Sequence, residues 1–265
     1  MFAIQFSAAL RVAAICVAFS CLSAAQAKDD DCILDHCADK LPPKAQPAPA
    51  QQVAPETRAT PETKTEARDG GGFRSGAPSS DFDFYVLALS WSPGFCDSVG
   101  GARDQCEPGR GLGFVVHGLW PQYEHGFPSD CDGPRSPSRI ALERANGVFP
   151  DERLARYEWR KHGTCSGKSP SDYFADVSRA REAVAIPAPF VRATRDQTFT
   201  PIDIERAFYD ANPRLRPGMM TVACRRNMLE EVRICMSKDL REFRACPEVV
   251  QHGCRQREIS VPAPL

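Results

Sequence analysis

The chain has almost no excess charge of either sign: 33 Lys and Arg face 34 Asp and Glu across 265 residues, a formal net charge of −1. Gripping many phosphates at once needs a large Lys/Arg surplus, so a cationic coat for long nucleic acids is excluded and any such contact must be a local groove. Long apolar runs are scarce too. The stretch Val12 to Leu22 is too short to cross a bilayer. It follows Arg11 and precedes the small-residue site Ala25-Gln26-Ala27, so residues 1–27 read as a secretory signal peptide, with Lys28 starting the mature chain. Acylation at Cys21 is the rival reading, weakened by the poor lead-in Ala18-Phe19-Ser20. Internal repeats are absent. Residues 28–80 lack aliphatic periodicity and are rich in Ala, Pro, Thr, Glu, Lys and Gly, which predicts a disordered tail or linker before a domain over 81–265. Within it, Cys32 and Cys37 either pair locally or react with something else.

Close cysteine pairs are missing from the remaining part. Cys96, Cys106, Cys131, Cys165, Cys224, Cys235, Cys246 and Cys254 include no C-x2-4-C step, so no structural zinc site, and no other metal or cofactor, is expected. An even number of cysteines in an exported chain points instead to disulfides formed in an oxidising compartment, periplasmic or extracellular. Spacing alone does not fix their pairing.

What is present divides into strands and helices. Residues 82–91, 112–117, 219–224, 228–236 and 240–246 read as strands, with Met228, Val232, Ile234 and Met236 on one parity; residues 151–162, 172–186 and 201–211 read as helices, the last capped by Thr200 with Pro201 at its first position. The expected fold class is α+β, helices packed on a mainly antiparallel sheet in one disulfide-stabilised domain.

Two segments carry chemistry. In the helix over 151–162, Glu158, Lys161 and His162 stand at i, i+3 and i+4 and project into one sector, bringing together a carboxylate, an ammonium and an imidazole. Gly163 follows, where a left-handed residue would stop the helix. Taken alone, the triad also fits a solvated charge pair with a C-terminal histidine. The second segment, Leu112 to Val116, is short and β-branched; as a buried strand it delivers His117 to its end, as a site residue or as a satisfied core histidine.

Together, Phe114-Val115-Val116-His117-Gly118-Leu119-Trp120-Pro121 and Tyr157-Glu158-Trp159-Arg160-Lys161-His162-Gly163-Thr164-Cys165 resemble the two active-site signatures of the ribonuclease T2 family, secreted endoribonucleases. The resemblance runs from about Phe82 to Cys254 and takes in Tyr85 to Cys96, similar to the family's first core strand, and Glu231 to Cys235 with Cys246-Pro247, similar to its C-terminal strand pair. It implies bridges Cys96 to Cys106, Cys131 to Cys165, Cys224 to Cys254 and Cys235 to Cys246, the second fastening the catalytic helix to the loop after the His117 motif. One position departs from the pattern. Many members carry a phosphate-contacting histidine where this chain has Tyr157, and a phenol can donate a hydrogen bond but does not become cationic near neutral pH.

The resemblance implies a metal-independent cleavage of single-stranded RNA through 2′,3′-cyclic phosphates, with His162 as general base, His117 as general acid and Lys161 stabilising the transition state. Glu158 would bind the phosphate or hold Lys161 and His162, raising the pKa of His162. Trp120 and Tyr123 either stack on a base or pack in the core, whereas His125 and His252 read as surface or structural residues. A monomer acting on RNA, free of the membrane after signal cleavage, is expected. Two alternatives stay open: a secreted RNA-binding or signalling protein on the same scaffold, and a hydrolase using Cys165 as a thiol nucleophile.

Overall fold

The computed structural model describes residues 72–75, 77–99, 104–191 and 193–264. The signal peptide, Cys21, Cys32, Cys37 and most of the expected tail lie outside the described residues. Backbone structure begins earlier than position 81, however. Strand β1 (Gly72–Ser75) pairs in parallel with β4 (Gly126–Ser129), and farther on Ser80 N–H donates to Cys165 O at 2.9 Å.

The framework is a six-stranded sheet in the order β3 (Phe114–Gln122), β2 (Phe84–Trp91), β7 (Met228–Ser237), β8 (Ile259–Val261) and β5 (Gln197–Phe199), with β6 (Met220–Arg225) also paired to β7. Every pairing is antiparallel except the short parallel contact of β7 with β8. Strand β2 is apolar and buried along both faces, as a strand covered on both sides must be. One face points Tyr85, Leu87, Leu89 and Trp91 into the main core, where they meet Val116 and Leu119 of β3 and Val232, Ile234 and Met236 of β7. Helices α3 (Glu152–Lys161), α4 (Pro170–Glu182) and α6 (Pro201–Ala211) close this core with Trp159, Tyr173, Phe174, Val177, Ile204 and Phe208. The opposite face carries a small cluster of Phe84, Val86, Cys235 and Cys246, with Trp120 packed against it.

Helix starts follow local chemistry. Asp151, Ser169 and Thr200 each accept a backbone N–H of the first turn, from Leu154, Asp172 and Asp203, and Pro170 and Pro201 occupy first-turn positions that need no donor. Helices α1 (Ser92–Val99), α2 (Arg139–Ala145), α5 (Ala188–Val191) and α7 (Pro247–Gln251) are too short to give a periodic signal and are absent from the sequence reading.

Two strand expectations need correction. Residues 240–246 form no strand: Leu240 takes a left-handed φ of 61°, only Met236 and Phe243 bridge, and the segment turns back to reach Cys246. In β7 the parity expected for Met228 is broken by a bulge, because Ala223 pairs with Glu231 and Cys224 with Leu229. The extra residue moves Leu229, not Met228, into the core.

The structure contains the four bridges Cys96–Cys106, Cys131–Cys165, Cys224–Cys254 and Cys235–Cys246. Cys131 and Cys165 are buried together with Ala77, so the second bridge ties the loop after β4 to the turn that ends α3. Cys131→Ala should lower unfolding stability by about 2 to 5 kcal/mol in urea titration, and the unreduced digest of the native protein should yield the Cys131 and Cys165 peptides joined. A free Cys165 thiol in that digest would refute the pairing.

Candidate active site

Strand β3 does not end at His117; it continues through Trp120 and Pro121 to Gln122. Its register with β2 slips at the histidine, with Leu89 opposite Val116 and Ala88 opposite Gly118, so His117 is the unpaired extra residue of a β-bulge. The slip lets Val116 and Leu119 both face the core while the bulged residue is re-aimed off the regular alternation. Pro121 is tolerated because β3 ends the strand order of the sheet.

Helix α3 lies against β3 and supplies the second half. Trp159 turns into the main core, its indole donating to Pro134 O at 2.7 Å, and Glu158, one position earlier and about 100° around the helix, reaches Trp120 and His117 of β3. His162 is the C-cap, donating its backbone N–H to Glu158 O at 2.9 Å. The expectation of a left-handed Gly163 is not met. The chain runs from His162 into a tight 3-10 turn, Gly163–Ser166, and the left-handed residue is Gly167 at φ 71°. Gly163 is there for space: a Cβ would stand 2.5 Å from the Trp159 ring.

The two halves meet at Glu158. Its side chain is 1% exposed; Oε2 accepts the Trp120 indole N–H at 2.7 Å and Oε1 lies 3.6 Å from His117 Nε2. Gly118 makes this approach possible, since a Cβ there would sit 2.1 Å from Glu158 Oε2 and 2.3 Å from Trp120 Nε1. The Trp120 ring stands between the two histidines, its centroid 5.1 Å from that of His117 and 5.4 Å from that of His162. Phe127 of β4 borders His162 from another side at 6.4 Å. Lys161 Nζ donates to the Tyr157 hydroxyl at 3.0 Å and lies 5.5 Å from the centroid of its ring.

Two residues that the sequence reading passed over complete the arrangement. His117 Nδ1 is 2.8 Å from Glu231 Oε2, and the other oxygen of Glu231 accepts the Arg233 Nε–H at 2.7 Å. The guanidinium carbon of Arg233 lies 5.6 Å from the Trp120 centroid. A signal was available. Glu231 and Arg233 share a parity opposite to Val232, Ile234 and Met236, and a buried acid in a central strand requires a partner.

Electrostatics separate the histidines. Burial works to lower the pKa of His117, but the hydrogen bond to Glu231 and the charges of Glu158 and Glu231 outweigh it and raise the group above its ordinary value. His162 is held well below the ordinary value by burial and by the charges of Lys161 and His117. This corrects the expectation that Glu158 would raise His162, because the carboxylate is turned to Trp120 and His117. Burial pushes Glu158 up to about 7, with His117, Trp120 and Lys161 pulling against it. Burial would raise Glu231 as well, yet Arg233 and His117 bring it down to about 2.

The structure thus gathers His117, Trp120, Tyr157, Glu158, Lys161 and His162. It leaves His125 exposed with its Nδ1 3.0 Å from Glu248, and His252 exposed with its Nδ1 against Glu248 O. Tyr123 is half-buried in the turn to β4. Among the described residues no group of three or more His, Cys, Asp or Glu is placed to hold a metal ion. Cys165 is oxidised, which removes the thiol nucleophile of the hydrolase alternative. A pair of imidazoles of opposite protonation beside a lysine can deliver and accept a proton at one reacting centre.

Residues 82–246 match the family model described as Ribonuclease T2 family. The chain is 37% identical over 175 residues to a ribonuclease of Aeromonas hydrophila, covering 65% of this chain and 80% of that one. It is 28% identical over 211 residues to ribonuclease I of Escherichia coli strain K12, covering 60% and 76%. Among solved structures, an RNase-related protein from Calystegia sepium superimposes with a TM-score of 0.54 at 24% identity, covering 69% of this chain and 98% of the other, a likeness of fold.

Trp120→Phe keeps a ring in place but strands a buried Glu158 oxygen without its donor, and it should cost about 1 to 3 kcal/mol in urea unfolding. Gly118→Ala should cost at least as much, since its new methyl meets the same two atoms. Wild-type stability in both variants would show that the Trp120–Glu158 bond does not join the two halves.

Proposed function

The chain belongs to the ribonuclease T2 family and is a T2-type ribonuclease with endoribonuclease activity, and from that premise we propose how its residues carry the reaction. His162 takes the proton of the ribose 2′-hydroxyl, and the 2′-oxygen attacks the adjacent phosphorus. The 5′-oxygen departs with a proton from His117, leaving a 2′,3′-cyclic phosphate. Lys161 offsets charge on the phosphorane oxygens; its ammonium acts on both His162 and Glu158, which supports that role. Water then opens the cyclic phosphate to a 3′-phosphate with the two histidines exchanging roles.

The observation that carries this reading is the opposite displacement of the two histidine pKa values. A base must begin neutral and an acid must begin protonated. His162, pulled down, and His117, pulled up, are in those states over one common pH range; the reverse assignment would use only a minor protonation state. Glu158, bonded to Trp120 and close to His117, serves to hold the two halves together and adds negative charge beside the acid. Tyr157 is the hydroxyl on which Lys161 rests. Single-stranded RNA suits a site whose cations are few and local, since its unpaired bases and flexible backbone can be gripped over a few nucleotides.

We further propose an exported monomeric enzyme, periplasmic or extracellular. The signal-like residues 1–27 and the four bridges support export, and among the described residues no helix is long and apolar enough to cross a membrane.

The rate on a dinucleoside phosphate should be bell-shaped in pH, rising through a His162 titration below the ordinary histidine value and falling through a His117 titration above it. His117→Ala and His162→Ala should each lower turnover roughly 10²- to 10⁴-fold without loss of fold. A substrate with an activated 5′ leaving group should rescue the first variant alone. Rescue of His162→Ala alone would reverse the roles, and wild-type turnover in either variant would end the two-histidine mechanism. RNA cleavage should also persist in excess EDTA, with DNA left intact.

A further inference from the structure

Glu231 sits on β7, two strands from His117 on β3, with β2 between them. Neighbouring strands are about 4.8 Å apart, so the side chains bridge roughly 10 Å across an intervening strand. The register shows what keeps that path open. On this face β2 presents Phe84, Val86, Ala88 and Ser90, large at one end and small at the other; Ser90 stands opposite Glu231, and Ala88 opposite both Arg233 and Gly118. The two smallest positions of β2 therefore lie where Glu231 and Arg233 reach across.

Both oxygens of Glu231 are committed, Oε1 to Arg233 and Oε2 to His117. Arg233 in turn rests on Trp120, Trp120 donates to Glu158, and Glu158 faces the far nitrogen of His117. The result is a closed circuit around one imidazole. Its two sides differ. The Nδ1 contact at 2.8 Å is a hydrogen bond, whereas the Nε2 to Glu158 separation of 3.6 Å is too long to be one.

We propose that Glu231, locked by Arg233, is the positioning residue of the general acid: it holds the Nδ1–H of His117, leaving the Nε2 proton as the one that is given to the departing 5′-oxygen. This deepens the reading of His117 as the acid and rests on it. Glu231 does not itself exchange a proton in the cycle. Its charge stays neutralised by Arg233, so it orients the imidazolium and favours its protonated form without becoming a proton sink. Other charged or titratable groups act on His117 as well: Glu158 from α3, His162 at its end, and Arg233 from β7, with Lys161 acting on Glu158 and His162. Among the described residues, the hydrogen bond to the imidazole ring comes from Glu231.

The test measures the His117 and His162 titrations directly by NMR of labelled imidazoles in the full mature chain, together with pH–rate profiles. Glu231→Gln preserves an acceptor but removes the charge. It should lower the His117 pKa by about one unit or more, move the alkaline limb of the rate profile by the same amount, and cut kcat near neutrality roughly tenfold with little change in KM. The substrate with an activated 5′ leaving group, which needs no acid, should lose almost nothing. Should the single variant not fold because Arg233 is left unpaired, Glu231→Gln with Arg233→Gln removes both charges, and His117 should still titrate below its wild-type value. An unmoved His117 titration in the folded variant would overturn the proposal. So would an equal rate loss on both substrates with the alkaline limb in place. Wild-type turnover by His117→Ala would instead overturn the acid assignment beneath it, and that failure is recognisable because it involves no Glu231 variant.

Discussion

The hydrogen bond from the Trp120 indole to the Glu158 carboxylate joins elements that sequence order keeps apart, the bulged end strand β3 and helix α3. A carboxylate this deeply buried is costly to desolvate, so it persists only where donors and positive charge answer it. Here one oxygen has the indole and the other faces His117. Around this contact the neighbouring choices become intelligible. Gly118 is a glycine because any side chain would occupy the bond, Trp159 points inward because Glu158 must point to the strand, and the Cys131–Cys165 bridge fastens the end of α3 so that the helix stays at that depth.

The same contact divides the site electrically. By turning away from His162, Glu158 leaves that imidazole with only burial and positive neighbours, which favour the neutral form. By facing His117 alongside Glu231, it adds to the negative charge that favours the cation there. Two identical side chains are thus driven to opposite states by their surroundings, with two buried carboxylates on one and a lysine beside the other. Lys161 leans on the Tyr157 ring and hydroxyl, and its charge acts both on His162, which it pulls down, and on Glu158, whose rise it opposes.

Much of this was legible in the chain itself. The helix that carries Glu158 and Lys161 was readable from its cap and composition, and the central strand from the strong apolar run of β2; the single sector expected for Glu158, Lys161 and His162 was not, because Glu158 turns to Trp120 and His117 while Lys161 rests on Tyr157. The parts that escaped are those where register departs from simple alternation. A bulge at His117 carried the strand past its expected end, a second bulge in β7 exchanged Leu229 for Met228, and the short helices offered too few turns to show a period. Glu231 and Arg233 escaped for a related reason: their shared parity was visible, but on a strand with a buried alternate face such polar residues also read as facing solvent, and the sheet order decides between the two by setting β2 and His117 beside them. The expected left-handed Gly163 failed because the helix end is governed by packing space beside Trp159, with the reversal delayed to Gly167.

The bulge at His117 has a bearing on how this segment can vary. Because its extra residue sets the alternation that sends Leu119 to the main core and Trp120 to the opposite face of the sheet, the motif specifies a length as well as a set of letters. A substitution at His117 removes one side chain and leaves the strand in register. Loss or gain of a single residue there would reverse the facing of the strand on one side of it, exchanging the surfaces of Leu119 and Trp120. Mutational drift in this strand is therefore confined to replacement, and the segment is closed to insertions and deletions in a way that its surface loops are not.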